Sequence, residues 1–88
     1  MNFEWDENKA SDNFRKHGVS FDEATTVFGD PLALTFDDPL HSTEEDRFIT
    51  FGHTSQGRLV VVAHTDRSGR IRPISAREMT RKEKADYE

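Results

Sequence analysis

The sequence predicts a small α+β domain: an antiparallel β-sheet with helices packed on one face, its elements in the order β-α-α-β-β-β-β-α. Three observations predict it. Strand-like runs succeed one another from residue 47 to 76 with only short turns between them, two separately capped helical segments precede them, and a third comes after. At 88 residues the chain makes one domain, residues 1–88, and buries about 60–65% of the surface its unfolded form exposes. Hydrophobic content is only 33%, so seven Phe and one Trp are the large anchors of a small core.

Phe3-Glu4-Trp5-Asp6 alternates apolar and charged residues as a short strand does, and Asp6 or Asn8 can cap a helix beginning there. The stretch 7–17 puts Ala10, Asn13, Phe14 and His17 at helical spacing, and Gly18 offers a left-handed stop. Ser20 and Glu23 form a capping box for a second helix running to about Phe28, with Val19 able to staple onto Ala24. Gly29-Asp30-Pro31 breaks that helix, and Leu32, Leu34 and Phe36 then alternate with Ala33, Thr35 and Asp37 as a strand. Residues 37–45 are polar and contain a Pro, a loop of the length that often carries function. Strands over 47–52, 58–64 and 70–76 come next, separated by the turns 54–57 and 66–69, and the β-branched run in the second marks the central strand. Thr80 with Glu83 caps a final helix, 81–87.

Charge is unevenly placed. Residues 1–57 hold twelve acids against four bases, while 58–88 hold eight bases against five acids. A net charge of −5 argues against generic nucleic-acid coating, which needs many neutralised phosphates. Basic residues converging on one small site can still act on RNA, and Arg67, Arg70, Arg72 and Arg77 come at short intervals in side chains whose planar fork matches phosphate oxygens. With no cysteine, neither a disulfide framework nor a thiolate metal site is available, and none of the four His residues has a His partner at metal-ligand spacing. The longest apolar run, 59–63, is too short for a membrane span, and the N-terminus lacks the features of a signal peptide. A cytoplasmic protein without cofactor is the expectation.

Phe3-Glu4-Trp5-Asp6, Asn8-Lys9-Ala10, Asn13, Lys16-His17-Gly18-Val19-Ser20-Phe21, Glu45-Asp46-Arg47, Gly52, Ile74-Ser75-Ala76-Arg77, Glu83 and Tyr87, in this order and spacing, resemble the BrnT toxin family. The resemblance covers nearly the whole chain. It implies a RelE-like fold, metal-independent ribonuclease activity that inhibits translation and growth, and a hetero-oligomeric complex with a BrnA-type antitoxin carrying a ribbon-helix-helix DNA-binding domain. Pro73 departs from the family pattern, which commonly has an apolar residue with a backbone donor there, and points to an edge strand or a bulge.

Cleaving RNA without a metal uses the 2′-hydroxyl as nucleophile, so a site must take its proton, stabilise the pentacoordinate phosphate and protonate the leaving 5′-oxygen. Arg47, Arg72 and Arg77 can clamp the phosphate if strands three to five are neighbours, with Lys16 and His17 assisting charge stabilisation or proton transfer. Arg72 and Arg77 are separated by an odd number of residues and face opposite sides of a regular strand, so a bulge at Pro73 is needed to align them. Each candidate has a plainer role beside this one. Arg77 can pair with an acid such as Glu78 or Glu45, Arg47 can be tied down by Glu45 and Asp46, and His17 can answer the dipole of its helix. His64 is a structural histidine or a general base; His41 and His53 are solvated. The alternative function is a non-catalytic binding module or corepressor of a DNA-binding protein. A third is a small enzyme acting on another phosphorylated ligand.

Overall fold

A computed structural model describes residues 1–38 and 46–88; the loop expected over 37–45, with His41 and Glu45, falls mostly outside the described residues. Strand β1 (Asn2–Phe3) leads to helix α1 (Glu7–His17). The Asp6 carboxylate accepts from the Asn8 N–H at its start, and Gly18, at φ 71°, donates its N–H to the Phe14 carbonyl at its end. The Ser20 hydroxyl accepts from the Glu23 N–H and opens α2 (Phe21–Ala24). The single helix expected to Phe28 changes pitch instead, becoming a 3₁₀ helix over Thr25–Gly29. There the Thr25 and Thr26 hydroxyls donate back to the carbonyls of Phe21, Asp22 and Glu23, competing with the regular ladder. Strand β2 (Leu34–Asp37) starts two residues later than expected because the Asp30 carboxylate holds the Leu32 N–H in a turn. Strands β3 (Arg47–His53), β4 (Leu59–Arg67) and β5 (Arg70–Glu78) come next, then α3 (Arg81–Tyr87) with its Thr80–Glu83 capping box.

The five strands form one sheet in the order β1-β5-β4-β3-β2. It is mixed rather than wholly antiparallel: β1 runs parallel to β5. No hairpin sets the direction of β1, because α1 and α2 carry the chain away from it across the sheet to the far edge. Beyond β1, the outer edge of β5 is met by Asn13 of α1, whose amide donates to the Ala76 carbonyl and accepts the Ala76 N–H, as a neighbouring strand would. A third bond from the same amide to the Val19 carbonyl ties the corner after α1 to the sheet.

One face of the sheet carries the core. Val60, Val62 and Ala76 pack there beneath Val19, Phe21, Ala24 and Val27, with Trp5, Ala10 and Phe28 at the margin. Gly52 is on this face because a Cβ there would lie 3.1 Å from the Ala33 Cβ and 3.2 Å from an Asp30 carboxylate oxygen. The helices do not all share it. α3 lies on the opposite face, where Glu83, Asp86 and Tyr87 border Leu34, Phe36 and Phe51. Tyr87 anchors it by donating to the Leu32 carbonyl at 3.1 Å. Apolar side chains on the face away from the core, Leu34 and Phe36 of β2 with Ile49 and Phe51 of β3, give α3 a surface to pack on.

Candidate active site

Strand alternation and cross-strand register decide which side chains share a face. Arg47 is opposite Thr65 on β4, and Thr65 is opposite Arg72 on β5. Further along, Phe51 is opposite Val61, and Val61 is opposite Arg77. Thr65 and Val61 are four residues apart on β4, so Arg47, Arg72 and Arg77 all face the side away from the core. The parity obstacle disappears through a bulge. Ala63 pairs with Ser75 but His64 pairs with Pro73, which leaves Ile74 as the extra residue and rotates the two halves of β5 into phase. Proline, which has no N–H to give the ladder, fits such a place.

Arg67 and Arg70 are paired across the β4–β5 hairpin and share this face. Four arginines, 47, 67, 70 and 72, thus occupy one end of it. Between Arg47 and Arg72 sits Thr65, 1% exposed, whose hydroxyl has no hydrogen-bond partner among the described residues. Nothing in the sequence singled out Thr65, because its place between two arginines depends on the register of three strands. A groove of about 300 Å³ beside Arg67 and Arg72 is bordered on its other side by Glu4, Trp5 and Asp6.

Arg77 lies about 13 Å further along the sheet, at 3.3 Å per residue. It pairs with an acid, as its plainer role required, but the acid is Glu83 of α3: Nη1 and Nη2 reach the two carboxylate oxygens at 2.7 and 3.0 Å. The hydrogen bond from Arg77 holds the Glu83 carboxyl down at about 2 and raises the guanidinium in turn. Nη1 also donates to the Glu78 carbonyl, so three of the five guanidinium hydrogens are used. Nε–H and the outer Nη2–H are left, the parallel fork that grips phosphate oxygens, on a side chain still 41% exposed.

Lys16 and His17 do not lie over this face. They end α1 beside the outer edge of β5, in the basic last turn of that helix. The Gly18 carbonyl just after them accepts from Arg58, whose other nitrogen is 3.7 Å from Glu78. The five candidates therefore divide: Arg47 and Arg72 flank Thr65 at one end, and Arg77 stands at the other with Lys16 and His17 around the sheet edge.

His64 faces the core. It lies between the Phe28 and Phe48 rings at centroid distances of 4.9 and 5.8 Å, and its Nε2 is 2.7 Å from the Thr50 hydroxyl. Burial pushes its pKa down to about 4 against a weaker upward pull from Asp66, which makes it a neutral structural residue on the wrong face for the arginines. His53 is not simply solvated: its Nδ1 is 3.5 Å from Asp30, and its ring meets that of Tyr87. Glu23 is held below the usual carboxylate range chiefly by the hydrogen bond from Arg58, and it also accepts from the Thr54 hydroxyl, a clamp across the β3–β4 turn. Among the described residues, no three acidic or His side chains are grouped as metal ligands, and no helix is long and apolar enough to cross a membrane.

No curated protein matches the sequence. The fold is similar to the 1.1 Å crystal structure of the Brucella abortus ribonuclease toxin BrnT, with a TM-score of 0.70 and 24% identity over 92% of this chain and 99% of that one. The model of the family described as the ribonuclease toxin, BrnT, of type II toxin-antitoxin systems matches residues 5–83. Because this model matches along nearly its whole length, the chain belongs to the BrnT family of ribonuclease toxins.

Proposed function

We propose that this toxin cleaves RNA without a metal ion, on the arginine-bearing face of its sheet, and that a BrnA-type ribbon-helix-helix antitoxin neutralises it. The observation that carries the site is the bulge at Ile74, which brings Arg72 and Arg77 onto the face of Arg47. About 13 Å along the sheet separates Arg77 from Arg47 and Arg72, so the two ends of that face serve different phosphates. Arg47 and Arg72, flanking the Thr65 hydroxyl, hold a phosphate of the strand. Arg77, with Glu83 fixing its plane and its side-on fork left for oxygen, stabilises the scissile one.

The reaction needs no added group. The 2′-oxygen attacks phosphorus as its proton leaves, the P–O5′ bond breaks, and the 5′-oxygen takes up a proton, leaving a 2′,3′-cyclic phosphate. His17 and Lys16, around the edge from Arg77, are the groups that move protons or add positive charge there. Cutting translated RNA in a cytoplasmic setting then stops protein synthesis and growth.

Arginine variants test the division of labour. Arg77→Ala lowers the single-turnover cleavage rate by about 10²–10³-fold, the loss typical of one preorganised charge donor, while Arg72→Ala raises the RNA concentration needed for half-maximal rate. Folded Arg77→Ala and Arg72→Ala proteins that both cleave like the parent would refute the site. Expression without antitoxin that leaves growth untouched would favour a non-catalytic binding module.

A further inference from the structure

Strand β2 ends the sheet, with β3 on one side and no described strand on the other. All four of its residues are exposed, including Leu34 at 48% and Phe36 at 53%. Large apolar side chains on an unpaired edge invite another strand, and proteins that need no such partner blunt the edge with charge or proline. The ladder's phase shows which backbone groups face out. Asp38 donates its N–H to the Arg47 carbonyl at 2.9 Å, so residues 34, 36 and 38 turn towards β3, and Thr35 and Asp37 turn their N–H and C=O outward. On the face away from the core, Leu34 and Phe36 join Phe51 and Tyr87 in a groove of about 190 Å³, with Glu83 and Asp86 of α3 along its far wall. Phe36 and Phe51 meet edge to face at 5.9 Å, which holds the groove open as a preformed slot.

We propose that the antitoxin docks here, adding an extended segment beside β2 as a sixth strand. This deepens the toxin-antitoxin reading and rests on it. The segment carries apolar residues at alternate positions to fill the groove, and Lys or Arg to meet Asp86, beside Glu83, in its wall. Charge selects this occupant over a second copy of the chain. A copy pairing edge to edge would bring its own Glu83 and Asp86 to the same groove, on a molecule whose net charge is already −5. The groove lies on the face that bears Arg77, and Glu83 belongs both to its wall and to the Arg77 pair. An antitoxin strand seated against α3 therefore lies at the border of the proposed RNA site and blocks it.

The test is the double variant Leu34→Asp/Phe36→Asp, neither residue being part of the RNA site, with folding checked by circular dichroism. Affinity for the cognate antitoxin is expected to fall about 100-fold, as when apolar anchors are lost from an interface, with RNA cleavage by the free variant unchanged. In the wild-type complex the amides of Thr35 and Asp37 should become protected from hydrogen exchange. Unchanged affinity together with unprotected amides overturns the docking surface alone. So does a wild-type dimer that the double variant abolishes while still binding antitoxin. A wild-type chain that neither cleaves RNA nor binds an antitoxin overturns the toxin reading along with it.

Discussion

Acidification to pH 5 should destabilise this protein through one buried histidine. His64 is ordinarily protonated near 6.5, and in the fold burial lowers that to about 4. Above pH 6.5 both folded and unfolded chains keep the ring neutral, so His64 adds no pH dependence. Between 6.5 and 4 the unfolded chain binds a proton that the folded one refuses, and stability falls as pH falls. The full loss over that window is about 3 kcal/mol, at 1.36 kcal/mol per pKa unit, of which about 2 kcal/mol is present by pH 5. A domain of this size has only about 4–13 kcal/mol in total, so the change is large. Urea unfolding followed by circular dichroism at pH 7 and pH 5 should show the midpoint dropping by about 1–2 M for an m-value of 1–2 kcal/mol/M. The control is His64→Gln, which keeps a hydrogen-bonding group for Thr50 and does not titrate. It should lose much less between the two pH values. An equal loss in parent and variant would refute the origin assigned to the effect, because Glu83, held at about 2, releases little of its contribution before pH 5.

Two further substitutions probe the frame around the arginines. Asn13→Ala leaves the outward N–H and C=O of Ala76 and the Val19 carbonyl without the partner they have now, and should cost about 2–4 kcal/mol in chemical denaturation. Glu83→Gln breaks the bidentate Arg77 pair and weakens the Thr80 cap, and after discounting for the exposure of Arg77 it should cost about 1 kcal/mol. Because the folded carboxyl is depressed, the parent should lose this contribution as pH falls from about 4.5 to 2, and the variant should not.

Local chemistry was readable from the sequence wherever neighbours along the chain decide the outcome. Asp6, Ser20 and Thr80 cap helices, and Gly18 ends one, through bonds spanning two to four residues. What was not readable depends on partners far along the chain. The direction of β1 comes from its meeting Arg70 and Ile71, almost seventy residues away. Glu83 was legible as half of a capping box, but its claim on Arg77 requires α3 to fold back onto the face opposite the core. Pro73 signalled an irregularity; only the register of β4 against β5 shows that the extra residue is Ile74 and that the arginines fall into phase. The hydroxyl of Thr65, unsatisfied among the described residues, had no local signal at all.

Cleavage of purified RNA by the isolated protein in excess EDTA, beside a folded Arg77→Ala control, tests the proposed chemistry most directly. Metal-free catalysis by the open-face arginines predicts cleavage that resists EDTA and falls about 10²–10³-fold in the control. Cleavage abolished by EDTA, or undiminished in Arg77→Ala, would contradict it.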